Sequence, residues 1–446
     1  MEGQNDKKNY EQGVVELCRN GQLLELRELL VSGEEQQGPA AEHRAQLEAG
    51  FVAACGEGHL AVVEELLSLD GDRFIDVHAQ CEGAFSAACR NGHLPVMQLL
   101  IDLEGDRSID VPAVGEGQFW LACYEGRLSV VQLLLSLEGD RRIDVHAGNE
   151  SPFRTACGEG HLHVAQLLLA LQGDRRVNAH AQSCEGFKKA CRAGHLGIVQ
   201  LLLSLQGDRR IDSPTVIDQG FWSACNQGHL PVVQLLLSLD GDRRVDVRAK
   251  GQASFRAACG RGHVAVVQLL LDLEGDRRID IHAERSDAFR SACSSGNVDM
   301  LQLLLSLDGD RRIDVHVGNA HGFQAACRGG HLGVMKGLLS LDGDRRIDVR
   351  CANEGAFRAA CWGGHVDAVQ LLLTLDGDRR IDVHAVSEMA FQTACRQGCL
   401  DVIRLLLTLE GDRRIDVQAQ NCKAFRDACR EGQVQAVQLL LSLAGD

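Results

Sequence analysis

Phenylalanine recurs at a fixed interval along this chain, and that interval limits the possible folds more than any other feature. Twelve of the thirteen phenylalanines lie 34 residues apart, at positions 51, 85, 119, 153, 187, 221, 255, 289, 323, 357, 391 and 425. A cysteine follows each of them four residues later, from Cys55 to Cys429. With a degenerate first copy around Leu17 and Cys18, the chain contains thirteen units. So strict a period predicts a stack of repeated units, with no inserted catalytic domain between residues 51 and 446.

The first half of each unit has the pattern of a short helix. In the second full copy, Phe85, Ala88 and Cys89 are spaced i, i+3 and i+4, which places them on one face of a helix over 84–91. Gly92 follows, where a helix commonly ends in a left-handed residue. The pattern therefore predicts one buried helical face per repeat.

The second half of each unit predicts another helix and a loop. In the same copy the segment 94–103 carries Pro95 in its first turn, where a missing N–H has no cost, and an apolar face of Val96, Leu99, Leu100 and Leu103. Gly105 and Asp106 then end the helix, and residues 109–111 are expected to be an extended connector. Helices this short are not stable alone, so neighbouring units must bury them.

The recurring core A-C-x-x-G-H-L-x-V-V-x-L-L-L with its Gly-Asp loop resembles the ankyrin repeat over residues 14–446. The copies are a variant: the period is 34 rather than 33, and Gly83-Ala84-Phe85-Ser86 stands where the family has T-P-L-H. The resemblance implies an all-α, ankyrin-like solenoid of about 13 stacked helix-turn-helix units with a concave protein-binding surface. It also implies a structural role for the Gly-His pair, here Gly92 and His93. No cofactor is expected.

The two ends of the array differ in polarity. Residues 1–50 are expected to form a capping repeat followed by a polar loop, because their copy of the unit is rich in Glu. Residues 51–446 are expected to form the twelve regular repeats, of which the last is as apolar as an interior copy. Two explanations stay open: the native chain continues past residue 446, or this end face meets a partner, and the oligomeric state is left open.

Charge and composition limit the partner and the compartment. The formal net charge is −16, which disfavours nucleic acid and anionic membranes as partners. Apolar runs are too short to span a bilayer, and the N-terminal residues lack the apolar core of a signal peptide. The 18 cysteines are therefore expected to be reduced thiols of a cytoplasmic protein, with the nucleus as the alternative compartment.

Two recurring motifs admit both a chemical and a structural interpretation. The Cys-x-x-x-His spacing, as in Cys89 and His93, suits zinc ligands, but four ligands must converge on a closed site. The structural interpretation places Cys in a small apolar space and His against neighbouring backbone. Gly-Asp-Arg recurs eleven times and suggests anion binding, yet aspartates flank these arginines. We therefore expect ion pairs within and between repeats instead.

Binding specificity is expected where the copies differ. The residue after Phe and the two residues between Cys and Gly vary between copies, and they include the aromatic residues Trp120, Tyr124, Trp222 and Trp362. Exposed aromatic side chains are common anchors of protein interfaces. The alternative is that each fills a local gap in the packing.

These patterns favour a non-catalytic scaffold or adaptor that binds other proteins. No P-loop, Gly-x-Ser-x-Gly or HExxH motif is present in the sequence, so no enzyme activity is expected. Two alternatives are kept: a repeat domain of a larger, possibly enzymatic, protein, and a metal- or redox-responsive Cys/His array.

Overall fold

The protein is helical throughout the part that the structure covers. A computed structural model describes residues 13–32 and 40–443, and no β-strand occurs among them. The chain divides after Ile211 into two compact units. Within each unit, first helices of successive repeats pack side by side, as do second helices. The predicted all-α repeat fold is therefore confirmed.

Helices of the first unit span 13–20, Leu23–Ser32, Ala40–Glu57, Leu60–Leu67, Ala79–Asn91, Leu94–Ile101, Val111–Glu125, Leu128–Leu135, Ala147–Glu159, Leu162–Ala170, Ala181–Ala193 and Leu196–Leu203. Short 3-10 helices lie at Gly71–Arg73, Gly105–Arg107, Gly139–Arg141, Gly173–Arg175 and Gly207–Arg209. Each regular repeat thus has a longer first helix, an eight- or nine-residue second helix and a 3-10 turn in the loop.

Helices of the second unit span Pro214–Gln227, Leu230–Leu237, Ala249–Arg261, Val264–Leu271, Ala283–Ser295, Val298–Leu305, Val317–Arg328, Leu332–Leu339, Cys351–Gly363, Val366–Leu373, Ala385–Gln397, Leu400–Leu407, Ala419–Arg430 and Val434–Ser442. Its 3-10 helices are Gly241–Arg243, Gly275–Arg277, Gly309–Arg311, Gly343–Arg345, Gly377–Arg379 and Gly411–Arg413. None of the described helices combines the length and apolar content needed to cross a bilayer.

The first helices bury the face that their spacing predicts. Phe85, Ala88 and Cys89 are almost completely buried. The helix ends at Gly92, whose φ of 79° is left-handed, and the Gly92 N–H donates to the carbonyl of Ala88 at 2.9 Å. Glycine adopts this conformation without the Cβ clash that other residues meet. The capping role predicted for Gly92 is confirmed.

The second helices are slightly shorter than their apolar pattern suggests, and their buried face is rotated. The helix that begins at Leu94 ends at Ile101, and its buried residues are Val96, Met97, Leu100 and Ile101. Leu99 and Leu103, which were expected on the core face, are only half-buried. Packing of neighbouring repeats on both sides widens the buried face beyond a single stripe.

Two predicted loop segments are helical instead. A polar loop was expected up to residue 50, but its described part, from Ala40 onward, belongs to the helix Ala40–Glu57. This segment is helical because it is rich in Ala, Glu and Gln and buries Leu47. The connector expected over 109–111 ends one residue early. There Pro112 lies in the first helical turn and the Asp110 side chain accepts a hydrogen bond from the Ala113 N–H at 3.1 Å, so a helix begins at Val111.

A left-handed turn forms the first residues of many first helices, and the sequence patterns did not predict it. In one copy Gly148, Asn149 and Glu150 have φ values of 60°, 58° and 62°. The same turn recurs at 182–184, 318–320, 352–354, 386–388 and 420–422. Such turns cost about 1–2 kcal/mol per non-glycine residue, and where the third residue is Glu150, Glu354 or Glu388 its side chain is buried and bonded to the next repeat.

Candidate functional site

The loop arginines connect successive repeats. In seven Gly-Asp-Arg-Arg loops the second arginine pairs with the aspartate of the next loop, 32 residues on, for example Arg176 with Asp208 at 2.5 Å. The same pair forms at Arg142–Asp174, Arg244–Asp276, Arg278–Asp310, Arg312–Asp344, Arg346–Asp378 and Arg380–Asp412. The hydrogen bond from each arginine holds the pKa of its aspartate below the ordinary value. The ion pairs expected between repeats are therefore present.

The first arginine of each loop reaches backward. Arg141 donates to the carbonyl of Ile101 at 2.6 Å, and Arg175 donates to the carbonyl of Leu135 at 2.7 Å, each across 40 residues. Since these donors are already used on backbone and carboxylate oxygens, the geometry supports a structural role for the loops. Gly105 opens the loop of its repeat with a φ of 64°, and the carbonyl of Asp106 accepts from His78 Nε2 at 2.9 Å.

The Gly-His pairs also bond across repeats. His161 Nε2 donates to the carbonyl of Tyr124 at 2.7 Å, and His195 Nε2 donates to the carbonyl of Gly158 at 3.0 Å. The ring of His93 lies against the preceding repeat, since a Cβ on Gly58 would be 2.3 Å from its Nδ1. The Cys-x-x-x-His histidines thus contact neighbouring backbone, as the structural interpretation predicted.

The cysteines of the repeat are buried thiols. Burial raises the pKa of Cys123 and of Cys293 to about 12, and it raises the pKa of Cys89 as well. No disulfide joins the cysteines whose side chains the structure describes, and among these Cys422 and, in the last copy of the repeat, Cys429 are exposed. Because the thiolate is the form that binds metals or attacks disulfides, these surroundings disfavour both reactions. Among the described residues no group of three or more His, Cys, Asp or Glu side chains converges as a metal site would require.

Buried glutamates form a second set of links that sequence reasoning missed. Glu388 is 3% exposed, and its Oε1 accepts from His384 Nδ1 at 2.6 Å and from the Asp416 N–H of the next repeat at 3.2 Å. Glu150 makes the same contacts with His146 and the Asn178 N–H. These carboxylates stand three residues before the repeated Phe, so comparing copies at that position would have revealed them.

The His384 contacts predict a pH-dependent stability. The hydrogen bond to Glu388, followed by the one to the Asp412 carbonyl, raises the pKa of His384 above its ordinary value. A raised folded-state pKa favours the protonated folded form, so this stabilisation is present below about pH 6.5 and is lost as pH rises through the folded pKa. We expect wild type to lose more stability than His384→Gln between pH 6 and pH 9 in urea unfolding. Because the ring is partly exposed, the difference should be small.

Gln418 occupies the equivalent position one repeat later, so glutamine is a matched replacement for His384. Glu388→Gln is the second control, since it removes the carboxylate that favours the protonated ring. A pH dependence identical in wild type and in both variants would contradict this account.

The aromatic residues singled out from the sequence lie on exposed faces of first helices. The exposed fractions are 39% for Trp120, 43% for Tyr124, 43% for Trp222 and 48% for Trp362. Trp120 and Tyr124 stack on each other with ring centroids 5.5 Å apart in the first unit. In the second unit the Arg328 guanidinium lies 5.3 Å from the ring centroid of Trp362. These side chains are therefore partly exposed, and the binding role predicted for them stays a prediction.

The last described helix also exposes apolar side chains. Val434 is 64% exposed and Leu441 is 56% exposed on Val434–Ser442. The contact proposed for this end stays a prediction.

Comparison with known proteins gives one match. A family model described as "Ankyrin repeats (3 copies)" matches residues 51–146, 119–213, 221–319 and 356–446. No curated protein matches the chain.

Proposed function

Because the chain belongs to the ankyrin repeat family, we propose that it is a non-catalytic scaffold or adaptor that binds partner proteins through its first helices and adjoining loops. Ankyrin repeats are in general protein–protein interaction modules. The observation that carries the proposal is the exposure of Trp120, Tyr124, Trp222 and Trp362 at positions where the repeats differ. Large exposed aromatic side chains contribute most of the binding energy at many protein interfaces.

The residues that recur from repeat to repeat have structural roles, which leaves the choice of partner to the positions that vary. Phe, Cys, Gly, His and the loop arginines are used in burial or in bonds between repeats, so they are not free to select a partner. The net charge of −16 favours partners other than nucleic acid or anionic membranes. The lack of disulfides among the described cysteines supports a reducing compartment, the cytoplasm or the nucleus, as part of this proposal.

An affinity pull-down from cell lysate, read by mass spectrometry, tests the proposal. We expect a set of partners that the wild-type chain retains and that a variant with alanine at Trp120, Tyr124, Trp222 and Trp362 loses. Each aromatic anchor typically contributes about 2 kcal/mol or more when it lies in an interface, so the loss should be easily detected.

A matched control replaces exposed second-helix residues of the same repeats, Gln132, Gln234 and Gln370, with alanine. Circular dichroism must show that both variants fold as the wild type does. Partners retained by the aromatic variant, or lost equally by the glutamine control, would contradict the assignment of the interface to the first helices.

A further inference from the structure

A cavity of about 420 Å³ lies beside Trp222 in the second unit. Thr215, Asp218 and Trp222 line it from the helix Pro214–Gln227, and Asp246 and Lys250 line it from the following repeat. Asp218 and Trp222 are four residues apart, so they project from the same helix face.

Small side chains leave this space open. The wall opposite Trp222 includes Ala249, Ala253 and Ser254. At the position of Asp218 other repeats carry the longer Glu150, Glu354 or Glu388, whose buried side chains contact the next repeat. The shorter Asp218 keeps that contact, because its Oδ1 accepts from the Asp246 N–H at 3.1 Å. The shorter Asp218 and the small side chains of the following repeat therefore leave room beside Trp222.

Two carboxylates give the cavity a negative wall. One oxygen of Asp218 is used by the Asp246 N–H, and one oxygen of Asp246 is used by the Arg248 N–H at 2.9 Å. Each carboxylate has a second oxygen that can accept from a ligand. Burial, together with the nearby charge of Asp246, raises the pKa of Asp218. A cation bound between the two carboxylates would stabilise their charged forms, and so offset both the burial of Asp218 and its repulsion by Asp246.

The ring of Trp222 is available to such a cation. Trp362 already has the Arg328 guanidinium over its ring, and Trp120 is stacked on Tyr124. Among the described residues no cation or aromatic ring is found against Trp222. Guanidinium groups stack on indole faces and donate to carboxylates in the same plane, which an ammonium group does less well.

We propose that this cavity receives an arginine side chain of a partner protein, with the guanidinium against Trp222 and its N–H groups donating to Asp218 and Asp246. The inference rests on the proposed protein-binding function and names the chemistry of one contact within it. The strongly acidic charge of the whole chain, −16, favours the approach of a basic partner segment.

Lys250, which also lines the cavity, allows the sign of the ligand's charge to be tested. Its side chain is exposed and forms no ion pair with either carboxylate within the described chain. A bound cation is repelled by Lys250, whereas a bound anion is attracted by it. Glutamine stands at the equivalent positions 182 and 420, so Lys250→Gln is compatible with this backbone conformation.

Fluorine NMR of the whole chain labelled with fluorotryptophan measures binding directly. The chain has three tryptophans, so three resonances can be assigned with the three single Trp→Phe variants. The probe is N-acetylarginine amide, and its uncharged isostere N-acetylcitrulline amide is the matched control. We expect the Trp222 resonance to shift saturably with the arginine probe, in the millimolar range of a single side chain, and not with the citrulline probe.

Variants then assign the contact. Asp218→Asn and Asp246→Asn should each weaken binding of the arginine probe by about fivefold, the size of one exposed ion pair. Both variants should keep the local structure. Two repeats earlier, Asn178 stands at the position of Asp246, and an asparagine at position 218 keeps an acceptor oxygen for the Asp246 N–H. Lys250→Gln should strengthen binding. Tighter binding of N-acetyllysine amide than of the arginine probe would overturn the choice of arginine.

The outcomes separate this inference from the proposed function. An unchanged Trp222 resonance, equal shifts with the citrulline probe, or stronger binding of N-acetylglutamate amide would overturn the arginine site. The pull-down result would stand in each of those cases, because it measures whether the four aromatic residues are needed for partner capture and not which chemical group lies against Trp222. A saturable Trp222 shift without any captured partner would instead leave the site supported and the adaptor function contradicted.

Discussion

Replacing Phe255 with alanine is expected to lower the free energy of unfolding of the second unit by about 3–5 kcal/mol, the range found for Phe→Ala changes in protein cores. Phe255 is 1% exposed in the helix Ala249–Arg261, which packs against both Pro214–Gln227 and Ala283–Ser295. The space left by the missing Phe255 ring would therefore lie among three neighbouring repeats. Because helices of this length depend on their neighbours for stability, the loss should extend beyond the repeat that carries the change.

Native-state hydrogen exchange measures that spread. We expect faster exchange in Pro214–Gln227 and Ala283–Ser295 as well as in the altered helix. Trp362→Ala, which truncates a half-exposed aromatic residue in the same unit, is the control and should cost less than about 1 kcal/mol. If exchange rose only within residues 255–288, the repeats would be energetically independent and the coupling inferred from their packing would be wrong.

Gly126→Ala is expected to produce the second large effect, in the first unit. Gly126 has a φ of 73°, and a left-handed alanine costs about 1–2 kcal/mol. Its Cβ would lie 2.2 Å from Nδ1 of His161, so the ring must move away from the Tyr124 carbonyl to which it donates. Loss of that hydrogen bond adds about 1 kcal/mol.

Two comparisons separate the clash from the backbone cost. Gly139 has a φ of 62° and open space where a Cβ would be added, so Gly139→Ala should show the backbone cost alone. A double-mutant cycle with His161→Ala should be less than additive by about 0.5–3 kcal/mol, because no ring remains to be displaced. Equal losses at the two glycines, or strict additivity in urea unfolding, would show that the His161 ring is not what makes Gly126 necessary.

Contacts within one repeat could be predicted from the sequence. The spacing of Phe85, Ala88 and Cys89 identifies a buried helical face, and Gly92 marks its end, because both depend on local periodicity and backbone conformation. The exposed aromatic residues were found in the same way, as departures from a repeated pattern.

The ion pairs between repeats could be predicted as a class, but the atoms that each contact joins could not, because they depend on how one unit stacks on the next. The hydrogen bond from Arg141 to the Ile101 carbonyl, for example, could be predicted only if the offset between neighbouring repeats were known. Residues such as Glu150 disfavour a left-handed conformation on their own, so their turns follow from burial and cross-repeat bonds. The cavity at Trp222 depends on small residues in the following copy, which no single motif reveals.

The bonds that join the repeats have a consequence for how such a chain can change in length. Within each unit they join residues at fixed separations along the chain: 28 and 37 for the histidines, 32 and 40 for the arginines. Insertion of one residue in a loop changes every separation that crosses it, so donors on one side no longer meet their acceptors. When a whole 34-residue repeat is gained or lost, each donor again finds an acceptor at the same separation along the chain, and that acceptor belongs to another copy of the repeat. Tandem duplication and unequal recombination therefore conserve the bonding pattern, whereas small insertions destroy it, and an unbroken 34-residue spacing is the expected record of that difference.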